Sequence, residues 1–169
     1  MKFITQSIPD VLLIEPIVHR DERGYFVETF RQDMLDQILG YKVNFIQDNE
    51  SKSISRGILR GLHYQLPPFT QSKLVRVIKG KILDVAVDIR RNSPTFGRHT
   101  SVELSEHNKR QLFVPCGFAH GFVVLSEGAI FSYKVDEYFS AEHNEGIAYN
   151  DKDIAIDWCL SERDIKLSI

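Results

Sequence analysis

The chain is cut into short segments rich in Val, Ile and Phe, each closed by Gly, Pro, Asn, Asp or Ser. That punctuation constrains the fold most, because helices need longer periodic runs and strands do not. Segments 11–18, 25–30, 45–53, 58–63, 74–79, 82–89, 100–104, 110–114, 121–125 and 129–138 read as strands. Leu83, Val85 and Val87 alternate with Asp84, Ala86 and Asp88, the period of two that a strand imposes. Lys79-Gly80-Lys81 marks a turn between two strands. One amphipathic helix is expected over 32–39, with Met34, Leu35, Ile38 and Leu39 on one face and Gly40 as its stop. A shorter helical turn is expected from Ser161, where Ser-Glu-Arg-Asp has capping-box spacing with Asp in the last place. Many short strands without alternating helices predict an all-β sandwich or double-sheet jelly-roll barrel with one or two short peripheral helices. The mouth of such a barrel, lined by inward-pointing side chains, is where a ligand is expected.

At 169 residues, a single domain over 1–169 is expected, large enough to bury a full core. The net charge is −2 with no block of like charges, which argues against a nucleic-acid surface. Residues 1–10 lack the apolar core of a secretory signal, and no apolar run is long enough to span a membrane. The protein is therefore expected to be soluble and cytoplasmic. The two cysteines, Cys116 and Cys159, form no CxxC pair and no disulfide framework. Cys116 is expected to act as a small buried apolar side chain.

Two strings concentrate chemistry. RGILRGLHYQLPPFTQSK at 56–73 gathers Arg60, His63, Gln65 and Lys73, and PCGFAH at 115–120 brings His120. Pro115-x-Gly117-x-x-His120 matches the second motif of cupins, the small jelly-roll barrels, and Gly57-x5-His63 matches the start of their first. The metal-binding version needs a second His where Gln65 stands, and a carboxylate in the region filled by Pro67, Pro68, Phe69 and Thr70. Two imidazoles fall short of the three or more protein ligands that zinc or non-haem iron takes, and Lys73 would repel a cation. No metal is expected. His, Lys and Tyr in one pocket can instead remove a proton beside a carbonyl. His63 is the candidate base, Lys73 the charge opposite an enolate oxygen, and Tyr133 the acid. Arg23 and Arg60 suit a diphosphate, whose oxygens a guanidinium meets in pairs.

GYFVETF at 24–30, QDNESKS at 47–53, RGLHYQ at 60–65, QSKLVRVIKGKILDVAVDIRRNSPTFG at 71–97, FVPCGFAHGF at 113–122 and SERD at 161–164 are similar to the dTDP-4-dehydrorhamnose 3,5-epimerase family. The resemblance implies a cofactor-independent isomerase acting at C3′ and C5′ of dTDP-4-dehydro-6-deoxy-D-glucose, in dTDP-L-rhamnose biosynthesis. It implies His63, Lys73 and Tyr133 as catalytic residues, with Asp164 as the carboxylate that orients His63. Asp84 is the alternative partner, because the chain between Trp158 and Ser161 is shorter than usual for the family. The implied substrate contacts are Arg23, Glu28, Gln47, Asn49, Arg60, His120, Glu145 and Arg163, with Phe26 and Tyr138 as stacking surfaces for the thymine. It also implies a homodimer in which the N-terminal segment crosses to the partner. Two other readings stay open at this level: epimerisation at one carbon only, and a non-catalytic sugar-nucleotide-binding jelly roll.

Overall fold

The computed structural model describes residues 1–167. In chain order its elements are β1 (Lys2–Thr5), β2 (Leu12–Glu15), β3 (Val18–Asp21), β4 (Gly24–Val27), α1 (Gln32–Leu39), β5 (Gln47–Ser53), β6 (Leu59–Gln65), β7 (Lys73–Lys79), β8 (Lys81–Asp88), β9 (His99–Ser105), β10 (Gln111–Val114), β11 (Phe118–Val124), β12 (Ala129–Val135) and β13 (Asn144–Gly146). A six-stranded sheet runs β1-β2-β10-β7-β12-β5, and a five-stranded sheet runs β13-β6-β11-β8-β9. Their strand pairs are antiparallel, while β3 and β4 form a separate hairpin. This is the double-sheet β-architecture that the sequence predicts.

Differences from the predicted segments have local causes. Segment 11–18 is divided at Pro16, which cannot continue a ladder, so β2 and β3 belong to different sheets. Segment 129–138 ends as a strand at Val135, and its remainder turns across the barrel rim. β1 and β13 were not expected; each is short and lies at a sheet edge. The helix forms as predicted, with Gly40 at φ 75° donating its N–H to the Asp36 carbonyl. Only Leu35 of its apolar face is buried, however, and Ile38 is 48% exposed. Ser161 begins a 3₁₀ turn over Glu162–Asp164, but its hydroxyl caps no backbone amide.

The β7–β8 turn passes between the two sheets. Gly80 has a φ of 82°, and a Cβ there would lie 2.1 Å from the Gly128 carbonyl oxygen, so both conformation and space require glycine. Its N–H donates to Glu106, and the next N–H donates to the Ser126 hydroxyl.

Three apolar clusters flank the sheets. The central one lies between them and contains Val75, Val77, Ala86, Leu112, Phe118, Phe122 and Phe131. A second, on the outer side of the five-stranded sheet, is covered by the C-terminal chain through Trp158, Ile154, Ile156 and Ile165. A third lies beneath α1 and includes Leu35, Leu74 and Phe113. β8 is therefore buried on both faces, Leu83, Val85 and Val87 outward and Ile82 and Ala86 inward. This fixes Asp84, between Ile82 and Ala86, on the inward side.

Trp158 is 5% exposed and donates its indole N–H to the Tyr149 carbonyl at 2.8 Å. Trp158→Ala should lower unfolding free energy by about 3–5 kcal/mol. Urea denaturation is the check, and a loss below about 1 kcal/mol would mean that the C-terminal cover is not part of the core.

Candidate active site

The inward faces bring polar residues together at one end of the central cluster. On the five-stranded sheet, His63 of β6 stands opposite His120 of β11, and Asp84 of β8 stands opposite Phe122. The His120 Nε2–H donates to both Asp84 oxygens, at 2.9 and 3.0 Å. Asp84 is fully buried and His120 nearly so. On the six-stranded sheet, Lys73 opens β7 opposite Val114 and Val135, and Tyr133 lies between Val75 and Asn49. Phe131 bridges the sheets, with its ring stacked on His120 at 6.2 Å and tilted against Tyr133 at 5.4 Å.

The sequence dictates this polarity through alternation. In β5, Asp48, Glu50 and Lys52 are exposed, and the intervening Gln47, Asn49, Ser51 and Ser53 are half-buried or buried. Gln47 donates its side-chain N–H to Asn49 Oδ1 at 2.7 Å, and Arg60 Nε donates to Ser53 Oγ at 3.3 Å.

Electrostatics follow from partial enclosure, with Lys73 and Tyr133 half-buried and His63 open to solvent. Burial pulls the Lys73 ammonium down from 10.5 to about 8, with Asp84 opposing that change. Burial, then the Lys73 charge and His120, hold the His63 imidazole below its usual 6.5. Burial raises the Tyr133 phenol above its usual 10, offset in part by Arg60. At neutral pH the arrangement therefore offers an uncharged imidazole, an ammonium and a protonated phenol.

Several expectations change. Asp84 pairs with His120, not His63, because the inward faces of adjacent β8 and β11 carry them side by side. Asp164 does not orient His63 either. Its 3₁₀ turn packs against Gly57, at the beginning of the segment that His63 nearly ends, and its carboxylate accepts the Ser161 hydroxyl at 2.9 Å. Among the described residues no side chain hydrogen-bonds the His63 ring. The exposed Arg163 shares that turn and lies outside the cluster. Cys116 is exposed rather than buried, as is Cys159. Tyr138 and Glu145 are exposed at the rim. Arg23, Phe26 and Glu28 lie on or just after the β3–β4 hairpin, where Arg23 pairs with Asp21 at 2.6 Å and Phe26 is 66% exposed. That hairpin lines a hollow with Arg76, Ile78 and Gln111 on the outer side of the six-stranded sheet, away from the inward-facing His63 cluster. Sequence reasoning named Asp84 and His120 separately but missed their pairing, and it missed the Phe131 bridge. The signal for Asp84 was a carboxylate in mid-strand, flanked by Ile82-Leu83 and Val85-Ala86-Val87.

Among the described residues no group of three or more His, Cys, Asp and Glu side chains is arranged to hold a metal ion. Nor is any helix long and apolar enough to cross a membrane.

The profile of the dTDP-4-dehydrorhamnose 3,5-epimerase family matches residues 5–169. The chain belongs to that family. The Shigella flexneri dTDP-4-dehydrorhamnose 3,5-epimerase is 53% identical, over 98% of this chain and 93% of its own length. The crystal structure of the Elizabethkingia anophelis enzyme superposes with a TM-score of 0.95 at 49% identity, covering 99% of this chain and 91% of that one. A Legionella pneumophila 3,5-epimerase, solved in complex with dTDP-4-keto-L-rhamnose, gives a TM-score of 0.94 at 48% identity, covering 99% and 87%. The chain is thus a dTDP-4-dehydrorhamnose 3,5-epimerase family member in both sequence and fold, with a cupin-type double sheet.

Lys73 binds its proton less tightly when folded, so the unfolded state holds more protons between pH 8 and 10.5. Stability should therefore rise as pH increases through that window, and Lys73→Met should remove the rise. The same logic gives His63 a stability gain as pH rises toward 6.5 from below. NMR of the Lys73 Cε resonance should show a midpoint near 8; a midpoint at 10.5 would mean that the ammonium is not enclosed.

Proposed function

We propose that this epimerase converts dTDP-4-dehydro-6-deoxy-D-glucose to dTDP-4-dehydro-L-rhamnose by metal-free proton transfer, in the route to dTDP-L-rhamnose. The observation that carries the reading is the opposition of His63 and Tyr133 on different sheets, with Lys73 within electrostatic reach of His63. A sugar ring held between the sheets has a base on one face and an acid on the other, which is what inversion requires.

The ketone at C4′ acidifies the hydrogens at C3′ and C5′. Uncharged His63 takes one of them, and the electrons move onto O4′. The Lys73 ammonium, already inside a poorly solvated barrel, stabilises that enolate without first reorganising water. Tyr133 then delivers its proton to the opposite face of the same carbon. The His63 proton leaves to solvent and Tyr133 is reprotonated, restoring the site for the second carbon. His120 meets the sugar while its other side is held by Asp84, and Phe131 keeps the phenol at a fixed angle to it. Arg60, Gln47 and Asn49 supply donors for the diphosphate. Tyr138 stacks on the thymine, and Glu145 contacts the nucleotide beside it.

Arg23, Phe26 and Glu28 act in the partner's pocket of a homodimer. The exposed Ile17, Tyr25 and Phe26 support this, as does a hollow of about 440 Å³ on the outer six-stranded sheet, lined in part by Asp48, Glu50, Arg76 and Lys134. These are apolar and complementary charged features suited to a two-fold interface.

In heavy water, deuterium should enter C3′ and C5′ of the substrate without added metal or nicotinamide. His63→Ala should reduce turnover by roughly 10²–10⁴-fold with substrate affinity retained. Tyr133→Phe should slow inversion more than exchange. Wild-type activity in His63→Ala would reject it as the base.

Composite sites predict complementation. Mixing His63→Ala with Arg23→Ala chains under subunit exchange should restore about a quarter of wild-type activity, since half the dimers are mixed and each has one intact pair. No recovery, with exchange verified by mass, would place Arg23 in its own subunit's site.

A further inference from the structure

One buried polar side chain at the rim takes no part in the chemistry above. Gln65 ends β6 and is only 6% exposed. Its amide nitrogen donates to the Phe69 carbonyl at 2.6 Å and to the Tyr138 carbonyl at 3.1 Å. Its oxygen accepts the Ser140 N–H at 2.6 Å. Two donors and one acceptor on one planar end are thereby matched to three backbone groups in two separate rim segments. A carboxylate would set oxygens against two carbonyls, and an aliphatic side chain would leave all three groups unpaired.

The same strap, residues 136–140, is held at further points. Gln71 donates to the Glu137 carbonyl at 2.7 Å, and Asp136 accepts the Ser72 N–H at 2.6 Å. These bonds hold the backbone of Tyr138, while the residue remains 59% exposed with its ring available to a ligand.

We infer that Gln65 is a positioning residue that fixes the 136–140 strap so that the Tyr138 ring meets the nucleotide base, and so governs substrate affinity rather than proton transfer. This rests on the assignment of Tyr138 as the stacking surface. The position at which metal-binding cupins carry a histidine serves here to fasten the mouth of the barrel.

Calorimetric titration with dTDP, which needs no turnover, tests the inference. Gln65→Leu and Gln65→Glu should each weaken dTDP binding by about 10-fold, the scale of one or two buried hydrogen bonds. At saturating substrate their kcat should stay within about 3-fold of wild type while KM rises with the dissociation constant. Gln71→Ala, at a half-buried site, should weaken binding in the same direction by about 3-fold, and it decides the matter if the Gln65 variants do not fold. In a Tyr138→Ala background, Gln65→Leu should add less than about 2-fold, because both act through one ring. Unchanged dTDP affinity with a lowered Tm would reduce Gln65 to a structural staple and overturn the inference. So would additive effects with Tyr138→Ala, or a loss confined to kcat. Absence of deuterium exchange by wild type would instead sink the epimerase mechanism and leave the binding result standing.

Discussion

Asp84 is a carboxylate with no exposure to water, in the interior of a β-barrel, and the arrangement of the site depends on satisfying it. Burying an unpaired carboxylate costs several kcal/mol. Here both oxygens accept from His120, and the Lys73 ammonium adds a favourable field. Packing of β8 beside β11, and of the six-stranded sheet across from them, meets this demand. The constraint works in both directions. Asp84 holds His120 in one orientation, and it makes Lys73 lose its proton less readily than burial alone would dictate.

The location of the apolar surface makes such an interior affordable. Two of the three clusters lie outside the sandwich, one beneath α1 and one beneath the C-terminal cover around Trp158. Stability is thereby distributed, and the region between the sheets need not be wholly apolar at its open end. β5 illustrates the outcome, since its inward face is Gln47, Asn49, Ser51 and Ser53 rather than Val and Ile. The polar end then meets a hydrophobic floor of Phe122 and Phe131, whose rings stack at 4.4 Å. The polar groups thus stand above an apolar floor, where charges are screened less than in water.

His63 and Tyr133 lie on different sheets, β6 in one and β12 in the other, a placement set by strand order. The rim is a separate device. Segments 66–72 and 136–143 are tied to each other by side chain-to-backbone bonds and by Phe69 packed on His143 at 4.6 Å. The His63, Lys73 and Tyr133 cluster and the rim therefore rest on different elements, β6, β7 and β12 for one and the connecting straps for the other.

Short punctuated strands, the helix ending at Gly40 and the concentration of polar side chains in the strings around His63, Lys73 and His120 were all legible in the sequence, because each rests on local patterning or spacing. Alternation along β8 also placed Asp84 opposite in sense to Leu83 and Val85, without stating which face was inside. Both faces are buried, so hydrophobicity could not decide it, and only the cover supplied by Trp158 and its neighbours did. The partner of Asp84 was likewise beyond reach, since cross-strand register joins residues 36 positions apart. The placement of Asp164 against Gly57 and the threefold use of Gln65 arise from where loops close in space. Local sequence determined which strands form and which groups they carry; the pairing of strands and the closing of the rim decided which of those groups meet, because hydrogen bonds and desolvation act over a few ångströms irrespective of separation along the chain.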